Sequence, residues 1–215
     1  TDHVLPAGEE NTLSVCVKNE GKNTRWYAGS GIYRHVWLIK TANVHMNDWD
    51  TYIESVSENV NVSSRIYNES HNQQTVKFVT EIYDKDDKLV TSKATDAEVI
   101  EANEEVNVSL NLKVNAPERW SPENPYLYTA VMKVTDDEGK TIDQYSTPFG
   151  IRSIEFSADK GFLLNGIPTL LRGGCVHHDN GLLGAASFDR AEERRLQILK
   201  DNGFNAVRCS HNIPS

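Results

Sequence analysis

The sequence has few cysteines, no long apolar run and no cluster of basic residues. No hydrophobic stretch approaches the roughly 20 residues that a membrane-spanning helix needs, so no membrane span is expected. Lysine and arginine together number 22 against 31 acidic residues, which gives a net charge of −9. Without a basic cluster, this balance argues against nucleic-acid binding.

The three cysteines, Cys16, Cys175 and Cys209, lie far apart and form no Cys-x-x-Cys pair. Neither a zinc site nor a dense disulfide framework is therefore expected. A single disulfide stays open as an alternative, but the favoured interpretation is that of reduced thiols in apolar slots.

The length of 215 residues exceeds the common single-domain size of about 100–150 residues, which favours one large domain or two to three smaller pieces. Hydrophobic residues make up 38% and charged residues 25%, values of a globular chain that exclude overall disorder. The chain starts at Thr1 without an apolar signal segment and stops just after a predicted strand. We therefore expect a fragment of a longer protein.

Short alternating runs dominate the first 152 residues. Residues 12–17 and 32–39 are predicted strands near the start, and further strands recur from residue 41 onward. The cleanest alternation is that of the apolar residues at 106, 108, 110, 112 and 114, and residues 126–134 and 141–149 predict a hairpin. About seven short strands over roughly 110 residues, with no helical stretch, predict an antiparallel β-sandwich.

The pattern changes after Ile154. A strand over 169–175, a helix opened by a capping box from Asp189 to Glu192, and a strand over 204–209 together predict a βαβ unit with parallel strands. Asn202 and Gly203 predict the end of the helix. A pair of parallel strands normally has both faces covered by other elements. We expect those covering elements to be missing from this chain. The apolar residues that would then be partly exposed are Leu170, Leu171, Ile198, Leu199, Phe204 and Val207.

The sharpest chemical signal lies where these two strands end. Active residues of βα barrels and open α/β sheets cluster at the carboxyl ends of the parallel strands. His177, His178, Asp179 and Asn180 follow the first strand, and Arg208, Cys209, Ser210 and His211 end the second.

Several interpretations of this set stay open. The histidines could simply bind the backbone, and a zinc site from His177, Asp179 and His211 follows no known zinc spacing. A nucleophilic triad lacks a Gly-x-Ser-x-Gly elbow. Arg208 lies within an apolar strand, where a buried guanidinium would need a carboxylate or a ligand as its partner.

Two groups of aromatic residues stand apart from these strand ends. Trp26, Tyr27, Tyr33 and Trp37 could form a platform for stacking a sugar, but a core role is favoured. Residues 120–128, with two prolines, predict a rigid corner that leads into a strand.

Seven segments, in this order and spacing, resemble landmarks of glycoside hydrolase family 2, and the resemblance covers essentially the whole chain. They are residues 25–34 (RWYAGSGIYR), 120–128 (WSPENPYLY), 149–152 (FGIR), 164–166 (LNG), 171–173 (LRG), 177–179 (HHD) and 205–211 (NAVRCSH). The run from His177 to Asp179, followed by Gly184, Ala185 and Ala186, is most similar to the β-galactosidase branch.

The resemblance implies a mainly β fold in three parts. Residues 1–41 would be the last strands of a jelly-roll sugar-binding domain, and residues 42–152 an immunoglobulin-like β-sandwich. Residues 153–215 would be the first βαβ unit of a catalytic TIM barrel.

The resemblance also implies an activity, the retaining hydrolysis of β-glycosides. Two glutamates would act as acid/base and nucleophile, and both would lie beyond residue 215, so this chain would hold no catalytic residue. β-Galactosidase is favoured, with β-glucuronidase or β-mannosidase as alternatives within the family. A non-catalytic carbohydrate-binding module is the alternative from another class.

Site residues and partners follow from the same resemblance. His177, His211, Arg208 and Asp179 would bind a β-linked oligosaccharide or glycoside. No metal ligand and no cofactor are expected in this chain, because the Mg or Na of family members is held by residues outside it. A homo-oligomeric parent protein is expected, and a periplasmic or secreted location is favoured over the cytoplasm. Some family members place a carboxylate from the jelly-roll against the sugar. In this sequence Asn23, Thr24 and Arg25 occupy that region, so this contact is not expected here.

Overall fold

The computed structural model describes residues 4–5, 8–18, 20–21, 31–177 and 179–210. The chain divides into two compact units, one over Leu38–Gly173 and one formed by Thr1–Trp37 together with Gly174–Ser215. No helix in the described ranges is long and apolar enough to cross a membrane.

Nine strands build the larger part of the first unit. They are β1 (Val44–Met46), β2 (Tyr52–Val56), β3 (Asn59–Asn68), β4 (Gln74–Tyr83), β5 (Leu89–Ala94), β6 (Glu98–Ile100), β7 (Glu105–Lys113), β8 (Tyr128–Thr135) and β9 (Thr141–Phe149). A 3-10 turn, Asp48–Asp50, separates β1 from β2.

The nine strands form two antiparallel sheets. In the first sheet, β1 and β2 share one edge of β3, and β7 pairs with its other edge. In the second, β5 and β6 share one edge of β4, while β8 pairs with the other edge and β9 with β8. Because two edges are each shared by two strands, the nine strands occupy seven positions. The predicted immunoglobulin-like sandwich is confirmed.

The core lies between the two sheets and follows the alternation in the sequence. Along most of β3, β7 and β8, buried residues alternate with half-buried or exposed ones, as expected for strands with one face toward a core. The fully buried side chains include Val60, Val62, Ile66, Val76, Phe78, Ile82, Ile100, Val114, Met132, Val134 and Ile151. The predicted strand at 106–114 and the hairpin of β8 and β9 are therefore correct.

The aromatic turn before β8 is a rigid corner, as the sequence predicts. The hydroxyl of Tyr128 accepts a hydrogen bond from the backbone N–H of Glu118 at 2.9 Å. A tyrosine at the start of a strand that binds upstream backbone in this way is a recurrent device of immunoglobulin-like sandwiches. The contact fixes the path of the chain from β7 into β8.

A short meander follows the sandwich and was missed by the sequence analysis. It consists of β10 (Ile154–Ser157), β11 (Gly161–Leu164) and β12 (Ile167–Pro168), paired antiparallel. The Nδ2 of Asn165 donates to the carbonyl of Trp120 at 3.0 Å, which fastens the meander to the corner. The first compact unit therefore extends to Gly173, past the predicted boundary after residue 152. The division into three family domains stays a prediction.

The second unit contains a strand–helix–strand segment. Its elements are β13 (Gly173–Val176), α1 (Asp189–Asp201) and β14 (Ala206–Cys209), and β13 pairs with β14. The predicted βαβ order is correct, but β13 begins at Gly173 rather than at residue 169. The capping box is wrong, because Phe188 is the N-cap and makes no side-chain cap hydrogen bond. Gly203, with a φ of 83°, ends the helix as predicted.

The two strands predicted near the start of the chain are absent from the described residues. Residues 12–17 and 32–39 belong to no sheet, and Leu13, for instance, is 83% exposed. An alternating run forms a strand only beside a partner that accepts its backbone hydrogen bonds. The assignment of residues 1–41 to a jelly-roll therefore stays a prediction.

The expected exposure of apolar residues in the strand–helix–strand region is confirmed. No residue of α1 is buried. Leu170, Leu171, Ile198, Phe204 and Val207 are exposed and Leu199 is half-buried.

Candidate functional site

The carboxyl ends of β13 and β14 lie side by side. The backbone N–H of Ser210 donates to the carbonyl of Val176 at 3.1 Å, and both residues lie at the ends of their strands. We use the term rim for residues 175–177, 179–180 and 208–210. Of the two sets of residues expected to meet here, Arg208 and Ser210 lie beside β13, where they contact Cys175 and Val176; the sugar-binding role of the predicted residues stays a prediction. His178 and His211 lie outside the described residues.

Arg208 connects the two strand ends. Its Nη1 donates to the hydroxyl of Ser210 and lies 3.6 Å from the sulfur of Cys175. The expectation of a buried guanidinium, with a carboxylate or a ligand as its partner, is wrong on burial, because Arg208 is exposed and its partners in the chain are a hydroxyl and a thiol. The exposed position removes the desolvation cost that would have required a carboxylate.

The cysteines differ from the prediction as well. Cys16, Cys175 and Cys209 are free but exposed rather than placed in apolar slots. The pKa of the Cys175 thiol is lowered by the hydrogen bond from the Arg208 guanidinium and, second, by one from the Ser210 hydroxyl. Cys175 therefore lies in an environment that favours its thiolate.

A network on α1 holds the loop after β13. Arg195 donates through Nη1 to the carbonyl of His177 and through Nη2 to the side-chain oxygen of Asn180. Glu192 accepts from Arg195 at 3.2 Å and from Nδ2 of Asn180 at 2.8 Å. The helix thus sets the path of the loop at the rim.

The roles of Arg195 and Glu192 were not predicted from the sequence. Both residues lie one turn apart on α1, at the spacing that places side chains on the same helix face. That spacing was the available signal, but it does not show which loop the helix faces.

His177 and Asp179 occupy different positions on this loop. The backbone of His177 is held by Arg195 and the residue is half-buried. Asp179 is exposed, and its Oδ1 accepts from the backbone N–H of Gly181 at 3.0 Å. No contact between Asp179 and Arg208 occurs in the described chain. The proposed zinc set includes His211, which lies outside the described residues.

The rim offers hydrogen-bonding groups but only one carboxylate, Asp179. Guanidinium, imidazole, hydroxyl and amide groups can bind the hydroxyls of a sugar. Glycoside hydrolysis by the retaining route requires two carboxyl groups about 5–5.5 Å apart. The rim therefore has groups of the kind that bind sugars, but it lacks the pair of acids that would cleave a glycosidic bond.

Trp37, one of the aromatic residues near the start of the chain, is not part of the predicted core. Trp37 is 77% exposed and lies beside His35, with ring centroids 5.4 Å apart. Tyr33 is half-buried, while Trp26 and Tyr27 lie outside the described residues. His35 Nε2 contacts Asp189 Oδ1 at 2.7 Å, which brings this segment to the start of α1.

The sandwich and the rim define a chain of the type found in multidomain glycoside hydrolases. The family model for "Glycosyl hydrolases family 2" matches residues 44–152, about half of the chain. The chain therefore belongs to glycosyl hydrolases family 2, and the resemblance found in the sequence motifs is confirmed.

The matches to curated relatives extend beyond the residues of the sandwich. The chain is similar to the beta-galactosidase BoGH2A of Bacteroides ovatus, with 45% identity over 213 residues. This match covers 96% of the chain but 25% of the relative. The chain thus spans about a quarter of the length of that protein, as expected for a fragment.

Solved structures agree with this assignment. A glycosyl hydrolase family 2 member from Bacteroides cellulosilyticus matches with a TM-score of 0.86 and 46% identity, over 92% of this chain and 28% of that chain. The beta-glucuronidase of Bacteroides uniformis matches with a TM-score of 0.79 and 28% identity, over 86% of this chain and 23% of its own.

Proposed function

We propose that the chain is part of a retaining β-galactosidase and that the rim contributes to its sugar subsite. The observation that carries this proposal is the 45% identity to BoGH2A, which extends over 96% of the chain. The substrate would be a β-linked galactoside or oligosaccharide. The two catalytic carboxylates would come from the remaining part of the longer protein.

The rim supports this role through its hydrogen-bonding groups. Arg208 supplies charged N–H donors at an exposed strand end, and His177 and Asp179 lie on the loop that Arg195 and Glu192 hold in place. We infer that Arg208, His177, Asp179 and His211 bind the sugar hydroxyls. Such contacts accelerate the reaction when they strengthen in the transition state.

The test is a kinetic comparison in the full-length protein. Nitrophenyl β-galactoside, β-glucuronide and β-mannoside are the substrates, with the variants Arg208→Gln, His177→Ala and His211→Ala. The expected result is preference for the galactoside and a loss in kcat/KM of roughly 10²–10³ for each variant, as for other single transition-state donors. Arg190→Gln, which removes an exposed arginine paired with Glu193 on α1, is the matched control.

Two results would contradict the proposal. Unchanged kinetics in all three variants would show that the rim is not part of the sugar subsite. Absence of any hydrolysis, combined with sugar binding, would favour the carbohydrate-binding module.

β-Glucuronidase is the second candidate, and the similarity to the Bacteroides uniformis beta-glucuronidase favours it. Faster turnover of the glucuronide than of the galactoside would support this candidate. Self-association of the full-length protein also stays a prediction, which light scattering on the purified protein would check.

A further inference from the structure

Arg208 is held at a single nitrogen of its guanidinium. Nη1 contacts both the Ser210 hydroxyl and the Cys175 sulfur. Within the described part of the chain, its Nε and Nη2 make no hydrogen bond. The fixed fork of a guanidinium can therefore present a second edge with two N–H donors.

The two groups that hold Arg208 come from neighbouring strands. Cys175 belongs to β13, whereas Ser210 directly follows β14 and is 2% exposed. The backbone N–H of Ser210 is itself bound to the carbonyl of Val176 at 3.1 Å. Both anchors are thus tied to the paired strands, while a long arginine side chain on an exposed surface would otherwise sample many rotamers.

We propose that Cys175 and Ser210 are positioning residues that orient the Nε and Nη2 donors of Arg208 toward the hydroxyl oxygens of a glycoside. This inference rests on the proposed function of the rim. It further states which residues hold the Arg208 side chain in place. Anchoring removes the need to order the side chain when the sugar binds, and it lowers the cost of binding.

The same contact makes Cys175 a reporter of the anchored state. Its pKa is lowered chiefly by Arg208, the charged side chain that acts on this thiol in the described chain. The thiolate is the form that reacts with alkylating agents. Cys16 is also exposed and makes no side-chain hydrogen bond to a described residue, so it serves as the internal reference.

The first experiment uses the 215-residue chain. Alkylation of each cysteine by iodoacetamide is followed by peptide mass spectrometry from about pH 6 to pH 9, in the wild type and in Arg208→Gln, Arg208→Lys and Ser210→Ala. We expect Cys175 to react about three- to tenfold faster than Cys16 at neutral pH. The ratio should fall to about one in Arg208→Gln and to an intermediate value in Ser210→Ala.

One result of this experiment would overturn the anchoring. If the rate and its pH midpoint at Cys175 are the same in the wild type and in Arg208→Gln, the guanidinium does not hold the thiol. Arg208→Lys, which keeps the charge without the fork, separates a general charge effect from the geometry: full retention of the wild-type profile there would also contradict the proposal.

The second experiment measures kinetics in the full-length protein with nitrophenyl β-galactoside. Cys175→Ala and Ser210→Ala should each raise KM roughly three- to tenfold with little change in kcat, the scale of one hydrogen bond. Cys175→Ser should restore KM, because a hydroxyl can accept from Nη1. Wild-type KM in both alanine variants, with Arg208→Gln impaired, would overturn the positioning role and leave the proposed function standing.

Failure of the proposed function gives a different pattern. Unchanged kinetics in Arg208→Gln, or no glycoside hydrolysis by the full-length protein, would contradict the sugar subsite. The alkylation series on the shorter chain would still decide whether Cys175 and Ser210 hold Arg208.

Discussion

Gly150 lies where the sandwich meets its aromatic corner, and its missing side chain is a packing requirement. A Cβ at this position would lie 2.9 Å from the Cβ of Trp120, closer than real carbon contacts allow. The next two residues are also fixed: Ile151 is fully buried, and the guanidinium of Arg152 lies 4.9 Å from the centre of the Trp120 ring. The position of the Trp120 side chain therefore requires glycine at residue 150.

Gly150→Ala should destabilise the sandwich by about 1–3 kcal/mol, the usual cost of overpacking. Urea unfolding of the variant and of the wild type measures the difference. Gly174→Ala is the matched control, because the nearest atom there, on Phe204, lies 3.8 Å from the added Cβ. An unchanged unfolding midpoint in Gly150→Ala would show that Trp120 moves aside without cost.

Glu81 and Lys133 form an ion pair across β4 and β8 at 2.8 Å, and both side chains are largely covered. The hydrogen bond from Lys133 is the main cause that lowers the pKa of Glu81; a second hydrogen bond, from Tyr83, also lowers it. A carboxyl with a lowered folded-state pKa stabilises the fold above its unfolded pKa of about 4.3. This contribution is lost as the pH falls through the folded-state value.

Glu81→Gln should therefore be less stable than the wild type near pH 7, and the difference should shrink below about pH 4. Thermal unfolding across this pH range measures both proteins. Glu54→Gln, at an exposed residue with no ion pair in the described chain, should show no such trend. A difference that stays constant down to pH 3 would contradict the role of the ion pair.

At the scale of whole elements, α1 and β7 show opposite kinds of packing. Each buried side chain of β7 faces the second sheet, while no residue of α1 is buried. Amide hydrogens exchange slowly only where opening requires the loss of such contacts. We therefore expect the helix and its two strands to have less local stability than β7.

Hydrogen exchange followed by mass spectrometry should show much faster exchange in β13 and α1 than in β7. Trimming the chain after residue 173 should also improve solubility, since it removes the exposed apolar residues of this region. Equal protection of Gly173–Val176 and Glu105–Lys113 would contradict the expectation.

The elements also show what the sequence could and could not predict. The strand β7 was predicted because its alternating residues meet a core on one face only. The meander of β10 to β12 was missed because strands of two to four residues are too short to show a period. The strand at 12–17 was predicted but did not form, since alternation does not reveal whether a partner strand lies beside it.

The residues of the candidate site were also predicted only in part. Residues 177–180 and 208–211 are predicted to meet because parallel strands joined by a helix end at the same edge. The structure brings residues 175 and 176, just before the first set, into contact with residues 208 and 210. The exposure of Arg208 was not predicted, because an apolar stretch of sequence does not show which of its residues face solvent. The hold of Arg195 on the loop after β13 depends on where the helix packs, which local sequence does not encode.

For the molecule as a whole, the chain carries the rim that we propose as part of a sugar subsite, and this rim lacks the two acids that hydrolysis requires. The 215-residue chain should therefore fail to hydrolyse nitrophenyl β-galactoside, because binding alone leaves most of the barrier in place. Incubation of the purified chain with this substrate gives the answer. Turnover near that of an intact enzyme, and retained in Asp179→Asn, would contradict this view.

The interrupted edges of the sandwich bear on how it behaves beside copies of itself. Unpaired strand edges are templates for pairing between molecules, and short or proline-bearing edges resist it. Here β1 and β2 divide one edge, β5 and β6 divide another, and Pro148 lies on the outer strand β9. Lys93 adds an ammonium group bound to a carbonyl of β7, on Asn111, at 3.1 Å. A sandwich with such edges is protected from aggregation while the neighbouring parts of a long polypeptide are still folding.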